Sequence, residues 1–358
     1  MQFSYFRNAM RRFDYRFLKQ NIGGDLFGLA NVISGLNVKE QMRKSANPGA
    51  FEALREQAVI ASVRGSNAIE GIVTTEDRLL AIAKGAAPLS HDEKELSGYR
   101  DALNYIHTNS DRLDMTEETI LLLHRMIEAE VNPAEAGRFK TRDNLIMEYS
   151  ADGTKKVRFR PVPAEETAAA VEQLVLAYID ARQDSSIPAI LLIPCVVLDF
   201  LCIHPFTDGN GRVSRLLTLL LMYISGYDVG RFISYEDQVN KNRDAYYSAL
   251  QKSSEKWHEN ANDYTPFVIY HLQIVYRCFK TLDDSFAAQT VRGMSKAARV
   301  RWVLENAAVP VSKAEILERL PGVGVKTVEA ELAKMLAEDK LTKIGTYKNA
   351  RYVKKGNA

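Results

Sequence analysis

The sequence predicts a mostly α-helical protein: a helical bundle interrupted by one β-hairpin, then a small basic module of three helices and a second hairpin. Three observations carry this reading. Apolar residues recur at three-to-four spacing through most of the chain. One stretch, residues 144–160, instead reads as strand, Asp152-Gly153 turn, strand. Charge is also unevenly placed. Residues 291–358 carry 14 Lys and Arg against 7 Asp and Glu, and the other 290 residues carry 33 against 38.

Taken in order, residues 1–100 form a helical N-terminal region, with a helix over 49–66 rich in Ala, Glu, Arg and Val. Residues 101–283 form the central domain. There Thr116-Glu-Glu-Thr-Ile is a capping pattern that opens an amphipathic helix to Ala129. After the hairpin, helices are expected over 165–183, 188–203, 213–225, 242–252 and 265–283. A linker is expected over 284–295, where the charge balance changes. Residues 296–358 then read as helix 297–306, a helix capped by Ser312, a Pro321-Gly-Val-Gly turn and a helix over 326–339. A hairpin from Leu341 to Lys354 closes the module. Three helices closed by a basic hairpin resemble a winged helix-turn-helix.

Composition excludes several classes. A chain of 358 residues, 46% hydrophobic and 26% charged, buries sizeable cores unaided. Cys195, Cys202 and Cys278 form no CxxC pair, which argues against a zinc site or a disulfide framework and for buried thiols in a reducing, cytoplasmic compartment. Aromatic and basic residues near the N-terminus are followed by no apolar core, so no signal peptide is expected. The most apolar stretch, 187–203, contains Pro188, Pro194 and Asp199 and runs into a polar motif, so it reads as a buried helix and no membrane contact is expected.

The chemistry is concentrated in His204-Pro-Phe206-Thr-Asp208-Gly209-Asn210-Gly211-Arg212-Val-Ser-Arg215. A histidine closes an apolar helix, a glycine-bracketed loop follows, and a new helix opens near Asn210 or Gly211. Backbone N–H groups of a Gly-Asn-Gly turn at a helix N-terminus make an anion cradle. Arg212 and Arg215, three apart, would project to nearly the same side. Asp208 supplies a hard oxygen ligand for Mg²⁺ carried by phosphates. His204 is a natural general base near neutral pH. No GxxxxGK[ST] loop is present.

This segment resembles the HPFx[D/E]GNGRxxR signature of the Fic family at all nine specified positions, and the likeness extends over roughly residues 50–280. The resemblance implies a Fic-type helical bundle and transfer of AMP from Mg-ATP to a Ser, Thr or Tyr hydroxyl of a protein. His204 would take the hydroxyl proton, and Asp208 would hold Mg²⁺. Gly209, Asn210 and Gly211 would cradle phosphates, and Arg212 would neutralise the distal ones. Phe206, within the nucleotide-binding motif, would anchor the loop in the core. Tyr246 and Tyr247 would stack on adenine or pack in the core, both readings being open. The hairpin at 144–160 would hold the target's main chain by strand addition. The related Doc-like kinases carry lysine at the second loop glycine, so Gly211 points to AMP transfer.

The family's second motif, [S/T]xxxE[G/N], is matched by Ser66-Asn-Ala-Ile-Glu70-Gly71. By resemblance, Glu70 would pair with Arg215 and occupy the place of the γ-phosphate, an autoinhibitory brake. Relatives with this layout often form dimers, so a homodimer is a further expectation. For residues 296–358 two partners stay open. Lys326, Lys334, Lys343, Lys348, Arg351, Lys354 and Lys355 suit DNA phosphates; Glu329, Glu331 and Glu338 on the third helix suit a protein contact instead. A transcriptional regulator that keeps the central domain as a nucleotide sensor, or transfer of another nucleotide such as UTP or GTP or of a phosphate group, is the alternative function.

Overall fold

The computed structural model of the chain describes residues 11–19, 23–46, 48–149, 155–290, 295–307, 310–346 and 350–355. The predicted Asp152-Gly153 turn and Lys348 lie outside the described residues. The chain divides into two compact units, Met1–Phe279 and Lys280–Ala358.

The first unit is helical. Its elements are α1 (Gly24–Ala46), α2 (Pro48–Ile69), α3 (Glu76–Ala83), α4 (His91–Asn109), α5 (Glu117–Glu128), α6 (Thr167–Gln183), α7 (Ala189–Ile203), α8 (Asn210–Ile224), α9 (Tyr235–Lys241), α10 (Arg243–Ser254) and α11 (Thr265–Thr290). The hairpin of β1 (Ile146–Tyr149) and β2 (Lys155–Phe159) stands between α5 and α6. Thr116 caps α5 as its sequence predicts, its hydroxyl accepting from Thr119 N–H at 3.2 Å.

The core is built around α7 and α8, which are buried on nearly every face. They pack on one another, with α6 against α7 and α2, α4 and α5 against α8. This explains the unbroken apolar run before the motif: the helix is sheathed by other helices. Among the described residues no helix is long and apolar enough to cross a membrane. Asp199, the one acid inside α7, is 0% exposed. It accepts hydrogen bonds from Tyr15 Oη (2.8 Å), Trp257 Nε1 (2.6 Å) and Tyr264 Oη (2.9 Å), and Arg11 lies 3.6 Å away. A buried carboxylate so surrounded satisfies its acceptor capacity.

Helix α2 meets α9 at Gly65. A Cβ there would lie 2.7 Å from the backbone nitrogen of Asp237, so only glycine allows this approach. Nearby, Glu236 accepts from Ser62 Oγ and Tyr99 Oη, both at 2.8 Å. These bonds tie α2 and α4 to α9 beneath the motif.

The hairpin pairs antiparallel, with Ile146 opposite Phe159 and Met147 opposite Val157. Arg158 is therefore an extra residue on β2, a bulge that re-aims a side chain.

Residues 284–290, read as the start of a linker, are helical and continue α11 to Thr290. The second unit contains α12 (Lys296–Asn306), β3 (Val311–Ser312), α13 (Lys313–Arg319), α14 (Val325–Ala337), β4 (Leu341–Ile344) and β5 (Arg351–Lys354). Ser312 opens α13 with a full capping box against Glu315. The strands form a sheet of order β3-β5-β4. Val300, Leu304, Ile316, Val328, Leu332, Met335 and Tyr352 make its own core.

Candidate active site

His204 sits just past the end of α7 in left-handed backbone geometry, φ 51° and ψ 62°. Its N–H bonds to Phe200 O at 2.9 Å and closes the helix. A non-glycine residue in this region is held there at some cost by its surroundings. Here the turn directs the chain away from the helix axis and into the loop. His204 Nδ1 is buried and has no hydrogen-bond partner among the described residues. Burial, then the nearby Lys140 charge, pulls the imidazole down to about 4. Lys140 is itself drawn down to about 8 by burial. Its Nζ donates to Asn144 Oδ1 (2.9 Å) and Ile203 O (3.3 Å), and its N–H to Pro205 O (2.9 Å). Lys140 thus holds the carbonyl end of α7 and the first turn of the loop.

The loop is fixed from both sides. Phe206 is 0% exposed and stacks on the His124 ring, centroids 3.7 Å apart and planes at 5°. Asn210 closes the loop on itself: Oδ1 accepts from Phe206 N–H (2.9 Å), and Nδ2 donates to Phe206 O (2.8 Å). The Asn210 amide thus braces the loop with its Oδ1 and one Nδ2 hydrogen, which leaves its second Nδ2 hydrogen and its backbone N–H for a ligand. Phe206, grouped with the nucleotide-binding positions, is core. Gly209 has φ 77°, and a Cβ there would meet Ile127 Cδ1 at 3.0 Å and Glu128 Oε1 at 3.1 Å. Glycine is required on both counts. Helix α8 then starts at Asn210 with no side-chain cap, which leaves its first N–H groups suited to an anion.

The two arginines of the motif part company. They are separated by about 60° around the helix, and their long side chains turn opposite ways. Arg212, 2% exposed, meets Glu95 Oε2 on α4 at 2.5 Å and Glu128 Oε1 on α5 at 3.0 Å, with Asp208 Oδ2 at 3.9 Å. In the structure its guanidinium is held by the protein's own carboxylates on α4 and α5. Burial pushes Glu128 up to about 7 and raises Glu95 as well, despite the guanidinium beside them. Arg215 turns toward α2. Its Nε donates to Ser66 Oγ (2.9 Å), and Nη2 to Ser66 O (3.0 Å) and Glu70 Oε1 (2.7 Å). Glu70 follows the last turn of α2, and Gly71 leaves it at φ 84°. A Cβ on Gly211 would collide with the Glu70 carboxylate.

These groups face one cleft of about 210 Å³, lined by Glu70, His204, Gly211 and Arg215 together with Arg158, Tyr246 and Tyr247. Tyr246 is 5% exposed and packs on Phe267 and Tyr270, ring centroids 6.0 and 5.6 Å away. Tyr247 is 37% exposed and is the ring open to a ligand. A larger cleft of about 590 Å³ beside Arg11, Phe17 and Tyr264 contains no residue of the motif.

Asp208 is the motif's exposed carboxylate, 84% accessible at its side chain, with Oδ1 accepting from Gly209 N–H at 2.6 Å. Among the described residues no group of three His, Cys, Asp or Glu could hold a metal alone. One exposed carboxylate beside an uncapped helix N-terminus fits a hard cation whose other ligands are phosphate oxygens and water.

Residues 114–222 match the Fic/DOC family. The chain is 26% identical over 246 residues to the protein adenylyltransferase Fic of Nematostella vectensis, covering 66% of this chain and 50% of that one. It is 27% identical over 225 residues to the protein adenylyltransferase Fic of Drosophila yakuba, covering 62% and 41%. The chain thus spans half or less of the length of these curated relatives. In fold, it superposes on a Fic family protein from Desulfovibrio desulfuricans with a TM-score of 0.61 at 17% identity, over 94% of this chain and 98% of that one.

Sequence reasoning located the Fic motif and the Ser66–Gly71 motif but missed His124, Glu95, Glu128, Lys140 and Arg158. His124 and Glu128 lie four apart on the predicted α5, a spacing that marks a shared face. Nothing local says that this face meets the loop.

Proposed function

We propose that the chain is a protein adenylyltransferase that moves AMP from Mg-ATP to a Ser, Thr or Tyr hydroxyl, restrained at rest by Glu70. The carrying observation is that the unprotonated His204, the uncapped start of α8 and the Glu70–Arg215 ion pair share one cleft. The target hydroxyl oxygen bonds to the α-phosphorus as the bond to the bridging oxygen breaks and pyrophosphate leaves. The proton passes to His204, whose low affinity for protons leaves it vacant at neutral pH. Positioning supplies most of the rate: N–H groups of Asn210 and Gly211 face the phosphates, Asp208 would hold Mg²⁺, and Tyr247 offers a ring to the base. Bound Mg²⁺ would neutralise charge on the phosphates.

Glu70 occupies both the cation and the space that a terminal phosphate would need. With Arg215 engaged at 2.7 Å, ATP enters the cleft in a pose that does not present its α-phosphorus to the hydroxyl. The hairpin presents open strand edges suited to a target's main chain. Three free, buried thiols suit a reducing, cytoplasmic compartment.

For the second unit the pairing of its charges favours a protein contact over DNA. Arg301 is held by Glu331 (2.6 Å) and Glu338 (3.1 Å), Lys313 by Glu329 (2.8 Å), Arg351 by Glu315 (3.1 Å) and Lys355 by Asp339 (2.5 Å). Of the cations named for DNA, Arg351 and Lys355 are matched within the fold and would release few counterions.

The donor is tested by incubating the protein with Mg-ATP labelled on the α- or the γ-phosphate, with and without a cell lysate. Label retained from the α-position only, and lost in His204→Ala, is expected. Retention from the γ-position would make the protein a kinase.

A further inference from the structure

Among the described residues, His124 is the one aromatic nitrogen ring shown to touch the motif loop without belonging to it. It projects from α5 and lies flat under Phe206 at 3.7 Å. Its two ring nitrogens face backbone groups of opposite character. Gly137 N–H can only donate, and it lies 3.0 Å from Nδ1. Asp208 O can only accept, and it lies 3.2 Å from Nε2. Both demands are met by one protonation state alone, the neutral ring with hydrogen on Nε2. An imidazolium would point a hydrogen at Gly137 N–H, and the other tautomer would break both bonds.

The carbonyl so held belongs to Asp208, immediately before the left-handed Gly209 that turns the chain into α8. Fixing that carbonyl fixes the peptide plane between Asp208 and Gly209. The plane sets where the Asp208 carboxylate points and how the first N–H groups of α8 are aimed. Ile127 and Glu128, one turn further along α5, close on Gly209 from the same side. Helix α5 is thus a platform for the loop, with His124 as its polar contact.

We propose that His124 is a positioning residue: by donating from Nε2 to Asp208 O it holds the loop in the geometry that receives metal-bound triphosphate. This rests on the reading of the cleft as a Mg-ATP site.

Two substitutions divide the ring's functions. In His124→Gln the side-chain amide reaches as far as Nε2 and keeps a donor for Asp208 O. In His124→Asn the shorter amide keeps an acceptor for Gly137 N–H but cannot reach Asp208. Both lose the stack on Phe206 equally. Binding of Mg-ATP is measured calorimetrically on the full chain in the Glu70→Gly background, against the parent and against ATP with EDTA. His124→Gln should bind within about threefold of the parent. His124→Asn should need about tenfold more Mg²⁺ for half-saturation, the usual effect of losing an outer support of a metal site. EDTA-ATP binding and melting temperature should match between the two. Equal losses in both variants would overturn the proposal and assign the effect to stacking; so would unchanged binding in both. Should either variant fail to fold, the ring's tautomer in the parent decides, read from its nitrogen chemical shifts: Nε2–H is required, and Nδ1–H overturns the proposal. A parent that binds Mg-ATP but transfers no α-label would reject AMP transfer and leave this test intact.

Discussion

Arg212 shows how a motif residue changes meaning once its neighbours are known. In the sequence it is a cation beside a phosphate cradle. In the fold it is a buried cation among three carboxylates, two of them contributed by α4 and α5. Its ion pairs join those helices to the start of α8. Arg212→Ala would leave Glu95 and Glu128 buried without their partner, which costs about 3–5 kcal/mol. Urea unfolding should show that loss, while Asp208→Ala, at an exposed side chain, should stay within about 0.5 kcal/mol of wild type. Equal stability of the two variants would contradict the assignment. Spacing along one helix could give the separation of Arg212 and Arg215 but not their partners, which come from α2, α4 and α5. The same limit hid Lys140 and Arg158: the first acts through backbone carbonyls of a remote loop, and the second through a bulge that alternation cannot anticipate. His204, Asp208 and the glycines were legible because the motif is contiguous and its chemistry local.

At the level of elements, most helices followed their apolar spacing and their caps. Thr116 and Ser312 act as predicted, and α7 is buried as its composition requires. The bounds drifted where tertiary packing takes over. Helix α2 runs to Ile69, three residues past its periodic pattern, because Ser66 and Glu70 bond to Arg215. Helix α11 runs to Thr290 through polar residues that composition reads as a linker. Helix α1 was expected only as part of a helical N-terminal region, and it hides a titratable group. Glu40 is 1% exposed, and among the described residues neither of its oxygens has a hydrogen-bond partner. Burial, then Asp228, pushes its carboxyl up to about 8, against the opposing pull of Lys44. The folded chain keeps this proton through a range where the unfolded chain, titrating near 4.5, has lost it. Stability therefore falls as pH rises from about 4.5 to about 8, by up to ~1.4 kcal/mol per pH unit from this group. Glu40→Gln removes the dependence. Its melting temperature should equal wild type near pH 5 and exceed it progressively toward pH 8. A difference that does not change with pH would contradict the burial of an uncharged Glu40 carboxyl.

Across the whole molecule, the motif loop and Glu70 belong to one compact unit, residues 1–279. Helix α2 is wedged against α9 at Gly65 and bonded through Ser62, so the helix that ends at Glu70 is built into the fold rather than laid over it. On the proposed reading, freeing Arg215 needs only the last turn of α2 and the Glu70 side chain to move, which is a local event. The most direct measurement is the rate of α-label incorporation by wild type, Glu70→Gly and the Glu70→Gly/His204→Ala double variant under one set of conditions. The account predicts a gain of at least about tenfold in Glu70→Gly, equivalent to ~1.4 kcal/mol of restraint removed, and no label in the double variant. Equal rates in wild type and Glu70→Gly, or label retained without His204, would contradict it.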